Sequence, residues 1–152
     1  MPEVWFYHLQ RQSLEEVLPI LLARALERNM RCVIEAGSDE RVTALDDWLW
    51  TYSDESFLPH GSSRDGDPEM QPVWLTSGSD NPNGAVLRFL VDGVAPDTAA
   101  ADAALSRVMV MFDGRDEEQL AQSRAAWKRL KGAGAALSYW QQDEDGRWQK
   151  KA

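Results

Sequence analysis

The sequence is poor in the residues that carry out chemistry. It holds one cysteine and two histidines among 152 residues. A single cysteine cannot close an internal disulfide. Cys32 sits in an apolar run with no activating neighbour and reads as a small buried hydrophobe. His8 and His60 stand at ligand spacing to no second His, Cys or close carboxylate pair, so no metal site is expected. Glycine is absent where the first strand meets the first helix, HLQRQSLEE. A dinucleotide fold needs glycines there, so that backbone N–H groups can approach phosphates. Neither GxxxxGK[ST] nor GxSxG occurs. No run approaches the roughly 18 apolar residues of a membrane span. The start, MPEVWFYHLQ, lacks the basic region and cleavage site of a signal peptide. The expectation is a cytoplasmic protein with no cofactor, no metal and no membrane contact.

Positive charge is also scarce. Sixteen Lys and Arg stand against 25 Asp and Glu, a formal net charge of −9. Binding to nucleic acid rests on cationic surface and counterion release, so no direct nucleic-acid contact is expected. A local basic island would have to be selective.

What is present is a regular alternation of strands and helices. With 43% hydrophobic residues, the chain reads as one globular domain spanning 1–152. Glu3–Leu9 is a buried strand. Ser13 with Glu16 forms a capping box for a helix running to about Arg28, although Pro19 would suit a start nearer Val17. Arg31–Glu35 is a second strand, and Asp39 opens a second helix to about Trp50. Ser62–Gln71 is polar, without periodicity, and reads as a mobile surface loop. Strands follow at Pro72–Thr76, Ala85–Val91 and Arg107–Phe112, with a short helix in Ala95–Leu105. Ala136–Gln142 and Arg147–Lys150 flank DEDG as a closing hairpin. The fold class is α/β: a three-layer, Rossmann-like domain with a mostly parallel sheet, a C-terminal antiparallel hairpin and no nucleotide-binding loop.

Two stretches stand out. Glu117–Gly134 is an amphipathic helix with Leu120, Ser123, Ala126 and Leu130 on one side. Trp127 lies at the edge of that side, and Arg124, Lys128 and Lys131 rise beside it. One reading is ordinary: basic residues late in a helix complement its dipole, and a boundary Trp is packing. The other is a docking site for an acidic peptide that ends in an aromatic residue. The second stretch is Trp48-Leu49-Trp50 followed by Phe57-Leu58-Pro59-His60. Trp50 is off the helical core rhythm and Phe57 lies in a loop. Such aromatics either mark a partner surface or staple the loop to the body. Asp46 and Asp47 read as a solvated helix face, and His60 as a turn-fixing residue. A rival reading is a small α/β enzyme or nucleotide-binding protein using His8 or the Asp113–Gly114 turn.

The chain resembles the chi subunit family of bacterial DNA polymerase III over nearly its whole length. The resemblance rests on VWFYHL, LDDWLWTYSDESFLPHG, QPVWLT, RVMVMFDG with the later R-x-x-W-K-x-x-K-x-x-G helix, and YWQQDEDGRWQKKA. It implies a non-enzymatic clamp-loader adaptor that binds the acidic C-terminal tail of single-stranded-DNA-binding protein. Carried over by position, the tail-binding residues are Arg124, Trp127 and Lys128, with Trp127 replacing a frequent Tyr. The family's contact with the psi subunit corresponds to Trp50 and Phe57. A monomer, or a heterodimer with psi, is implied.

Overall fold

The computed structural model describes residues 1–52 and 58–152. Its strands are β1 (Glu3–Leu9), β2 (Cys32–Glu35), β3 (Val73–Thr76), β4 (Leu87–Leu90), β5 (Arg107–Asp113), β6 (Leu137–Gln142) and β7 (Trp148–Lys150). Its helices are α1 (Leu14–Glu27), α2 (Asp39–Thr51), α3 (Asp97–Ala100) and α4 (Glu117–Gly132). The strands form one sheet in the order β3-β2-β4-β5-β1-β6-β7. Every neighbouring pair is parallel except β6 and β7. The closing hairpin is thus only half antiparallel to the sheet: β6 extends the parallel set beside β1, and β7 alone turns back.

Helices cover both faces, so the strands read as continuous apolar runs rather than alternating ones. Tyr7, Leu9, Ile34, Phe89 and Met111 pack with α1 and α2. Val4, Phe6, Val110 and Phe112 pack with α3 and α4. Phe6, Phe89 and Phe112 are almost wholly buried, each contributing roughly 2–3 kcal/mol of transfer free energy. Arg88 interrupts the apolar run of β4 yet is buried. It donates to Glu35 Oε1 at 2.9 and 2.7 Å and to the Gly78 and Asp80 carbonyls at 2.7 and 3.0 Å. Through the two carbonyls Arg88 ties the Ser77–Gly84 turn to the sheet.

Local differences from expectation have physical causes. Helix α1 starts at Leu14 behind the Ser13–Glu16 capping box, and Pro19 lies inside it. A proline there removes the N–H that would bond the Glu15 carbonyl. Trp48 Nε1 donates to that carbonyl instead, at 2.8 Å, and so staples α2 to α1. The short helix after Ala95 is a single turn, Asp97–Ala100. The polar 62–71 segment is pinned rather than loose. Asp65 accepts from the Ser62 N–H at 2.8 Å, Arg64 reaches Asp46, and Pro68–Met70 form a 3₁₀ turn.

Candidate functional site

Helix α4 is built to present one face. Asp116 caps it by accepting from the Glu118 and Gln119 N–H groups at 3.0 and 3.1 Å. Gly134, at φ 83°, ends it. Ser123, Ala126 and Leu130 are buried, and the two small residues allow close approach to the sheet. That approach brings Trp127 edge-on to Phe6 of β1 at 5.4 Å and to Tyr139 of β6 at 5.9 Å. Between α4 and β6 lies a groove of about 360 Å³. Phe112, Trp127 and Tyr139 supply its apolar surface, and Arg124 and Lys128 stand at its mouth.

Three of the four residues singled out on this helix, Arg124, Trp127 and Lys128, therefore line one groove. Lys131 lies one turn further along the same face and does not line it. Among the described residues none of Arg124, Lys128 and Lys131 has an ion-pair partner, whereas the neighbouring Arg129 is bonded to Asp97 at 3.1 Å. Like charges at i,i+4 and i,i+3 cost a helix roughly 0.2–0.5 kcal/mol per pair. The face thus carries charge that no ion pair among the described residues neutralises, with Lys131 in the last turn where it complements the helix dipole.

Two residues of the site had gone unassigned to it. Tyr139 forms the wall opposite Trp127, and His8 props it from below. His8 Nδ1 and the Tyr139 hydroxyl share a hydrogen bond of 2.6 Å, and the His8 ring lies 4.9 Å from that of Phe112. A Cβ at Gly114 would come within 1.9 Å of His8 Nε2, so only glycine leaves room for the ring. Burial lowers the His8 pKa, the Arg124 charge lowers it further, and Asp113 opposes both. Burial raises the Tyr139 pKa, with Arg124 acting against it. In the sequence Tyr139 appeared only within the YWQQDEDGRWQKKA stretch, with nothing to place it beside α4. Its position depends on β6 joining β1 in parallel.

The crevice at the carboxyl ends of the strands is where a doubly wound fold binds nucleotides. Here it measures about 190 Å³ and is lined by Glu15, Asp92 and Asp113 together with Arg41 and Arg115. Arg41 bonds Asp92 at 3.0 Å and approaches Glu15 at 3.7 Å, and Arg115 bonds Asp113 at 3.3 Å. Its cations are engaged and its carboxylates would repel phosphate. The Asp113–Gly114 turn and His8 are thus structural partners. Among the described residues no group of three His, Cys, Asp or Glu side chains could hold a metal ion. Cys32 is buried, and burial pushes its thiol up to about 12.

At the other stretch, Trp50 is 47% exposed. Its ring centre lies 4.3 Å from that of His60. Phe57 lies outside the described residues. His60 fixes its turn as expected: Nδ1 is 2.6 Å from the Leu58 carbonyl and Nε2 is 3.1 Å from the Asp46 carbonyl. Asp46 is not on a solvated face. It is 1% exposed, with its carboxylate 2.9 Å from His60 Nε2 and 2.5 Å from Arg64. The preference of a buried carboxylate for charged partners overrides the polar look of Asp46-Asp47.

The fold and its sites define a doubly wound α/β domain whose usual ligand crevice is closed by its own ion pairs and whose open groove lies beside an outer helix. The family profile of the DNA polymerase III chi subunit, HolC, matches residues 1–138. The chain belongs to the DNA polymerase III chi subunit family, a family of non-catalytic accessory subunits. It is 30% identical over 91 residues to a protein of Rickettsia prowazekii (strain Madrid E) described as a probable DNA polymerase III subunit chi. That match covers 60% of this chain and 55% of the relative, so the chain spans about half the length of the curated relative it matches. No helix among the described residues is long and apolar enough to cross a membrane.

Proposed function

We propose that this protein is a cytoplasmic replication adaptor that binds the acidic C-terminal tail of single-stranded-DNA-binding protein in the α4 groove. The observation that carries the reading is the pairing of an aromatic groove with two cations that have no ion-pair partner among the described residues. Arg124 takes the tail's terminal carboxylate through its planar fork. The terminal Phe enters among Phe112, Trp127 and Tyr139, and its burial contributes roughly 1.5–3 kcal/mol. Lys128 and Lys131 attract the upstream aspartates and add on-rate and salt sensitivity more than affinity. Ordering a flexible tail opposes binding, so the expected affinity is about micromolar. Several tails on one coated strand raise the effective strength.

Trp50, with Phe57, is the proposed contact with the psi subunit or another clamp-loader component, linking the tail to the polymerase assembly. The protein acts as a monomer or as a heterodimer with psi, and has no direct nucleic-acid contact. The test is a titration with a fluorescent acidic peptide ending in Asp-Pro-Phe, beside the same peptide without Phe. Saturable binding that needs the Phe, needs Arg124 and weakens with salt is the expected result. Equal binding of both peptides would remove the groove from the account.

A further inference from the structure

A second face of the molecule repeats the chemistry of the α4 groove with different residues. On the α1 side of the sheet, near the strand starts, lies a depression of about 310 Å³. Trp5 and Tyr7 of β1 form its floor with Arg107 and Met109 of β5. Register sets Trp5 beside Met109. The Arg107 guanidinium carbon lies 3.8 Å from the centre of the Trp5 ring, and Trp140 of β6 stacks on Trp5 at 4.9 Å. Residues of three neighbouring strands thus pack around the Trp5 ring. The wall is the C-terminal end of α1, which contributes Arg24 and Arg28.

Arginines at a helix end complement its dipole, and that alone would explain two of the three. Arg107 comes from a strand and has no such role. Among the described residues Arg24 and Arg28 have no ion-pair partner, and Arg107 reaches only the exposed Glu3, at 4.0 Å. Among the described residues Trp5 Nε1 and Arg107 Nε are buried donors without a hydrogen-bond partner. Among the described residues no carboxylate lines the depression, although the chain carries a net charge of −9. Three cations around an aromatic floor select an anion with an apolar body. A phosphate is the poorer fit. The adjoining helix end is the negative one, and the walls are side chains rather than a run of backbone N–H groups.

We infer that this depression is a second docking site, for an acidic peptide segment of a protein partner. An apolar side chain of the segment lies on the Trp5–Met109 floor, and flanking carboxylates meet Arg24, Arg28 and Arg107. The inference does not rest on the α4 groove being a tail site. If both hold, one chain grips two acidic segments on opposite faces of its sheet, and their linkage raises the effective concentration at each.

The experiment is NMR of the full-length ¹⁵N-labelled protein, following the indole N–H signals of Trp5 and Trp127. The probe is acetyl-Asp-Glu-Phe-Asp-Asp-amide, blocked at both ends so that it has no terminal carboxylate. The Trp5 signal should move saturably. Reversing Arg24 and Arg28 together to Glu should weaken the response about tenfold or more, and Arg124→Ala should leave it unchanged. Neutralising the same pair to Gln should give an intermediate loss, with amide spectra reporting that each variant is folded. Movement of Trp127 alone, or a Trp5 response indifferent to Arg24 and Arg28, would overturn the inference. So would adenosine monophosphate moving Trp5 where the peptide does not, which would make the depression a small-anion pocket.

Discussion

The strand-end crevice and the α4 groove hold similar ingredients and differ in how the charges are spent. In the crevice Arg41 and Arg115 are bonded to Asp92 and Asp113. In the groove Arg124 and Lys128 line an aromatic surface and have no ion-pair partner among the described residues. A cation already paired within the fold has little to offer a ligand, because a new anion must first displace the old one. Availability, more than the presence of charge, distinguishes a site from scaffold. In a doubly wound domain the crevice is the expected ligand position, and here its two arginines are already paired within the fold.

The largest effect should come from the groove. Arg124→Ala should cost about 2 kcal/mol of tail-peptide binding, roughly a thirtyfold rise in Kd by calorimetry. Arg115→Ala in the crevice should change neither binding nor stability by more than about 0.5 kcal/mol. If the two variants behave alike, the contrast between the regions is lost. Stability and binding should separate at a third place. Trp48→Phe removes the donor to the Glu15 carbonyl, and should lower unfolding free energy by about 1–2 kcal/mol in urea melts while leaving peptide affinity intact.

His8 reports on the groove from beneath. Its folded pKa lies below the unfolded value, for reasons of burial first and the Arg124 charge second. The unfolded chain therefore binds the proton more readily. His8's contribution to stability is fully present above the unfolded value, about pH 6.5, and is lost as pH falls through the folded value. Urea melts across pH 7 to 5 should show this decline, and His8→Gln should flatten it. A carboxylate placed on Arg124 offsets the cation, so peptide binding should raise the His8 pKa, read from its imidazole signals by NMR. No change in that pKa at saturation would mean the peptide's carboxylate sits elsewhere.

Breaking the pairing in the crevice sharpens the comparison from the other side. Asp92 has a φ of 57°, a conformation that Asn also tolerates. Asp92→Asn should free Arg41 and give modest thermal stabilisation by sulfate, of a few degrees at most, where the unmodified protein shows less. The smallest effect should be at Lys131, which lies off the groove. Lys131→Ala should change peptide affinity by under about 0.5 kcal/mol, yet reduce its salt dependence.

The elements of the fold were legible because both faces of the sheet are buried and the caps are local. Apolar runs, the Ser13–Glu16 box and the turn clusters each act within a few residues. The face of α4 was legible for the same reason, since 100° per residue brings Arg124, Trp127 and Lys128 together without reference to any other segment. Asp46 misled, because its partners His60 and Arg64 lie 14 and 18 positions away. The Ser13–Glu16 box placed the start of α1 correctly although Pro19 offered a later one; what the sequence hid is the Trp48 indole that satisfies the Glu15 carbonyl from 33 positions away.

By itself, then, the sequence determined what depends on neighbours in the chain: the strands and helices, their order, the charged face of α4, and the want of a phosphate loop. Only the tertiary structure decided what depends on distant segments meeting. It set β6 parallel to β1, so that Tyr139 faces Trp127 and rests on His8, 131 positions away. It closed the crevice with Arg41 and Asp92, 51 positions apart, and it raised Arg107 over Trp5 on the opposite face. Local periodicity says which way a side chain points. Which groups neutralise one another, and which remain for a partner, depends on distances that arise only when the sheet is assembled.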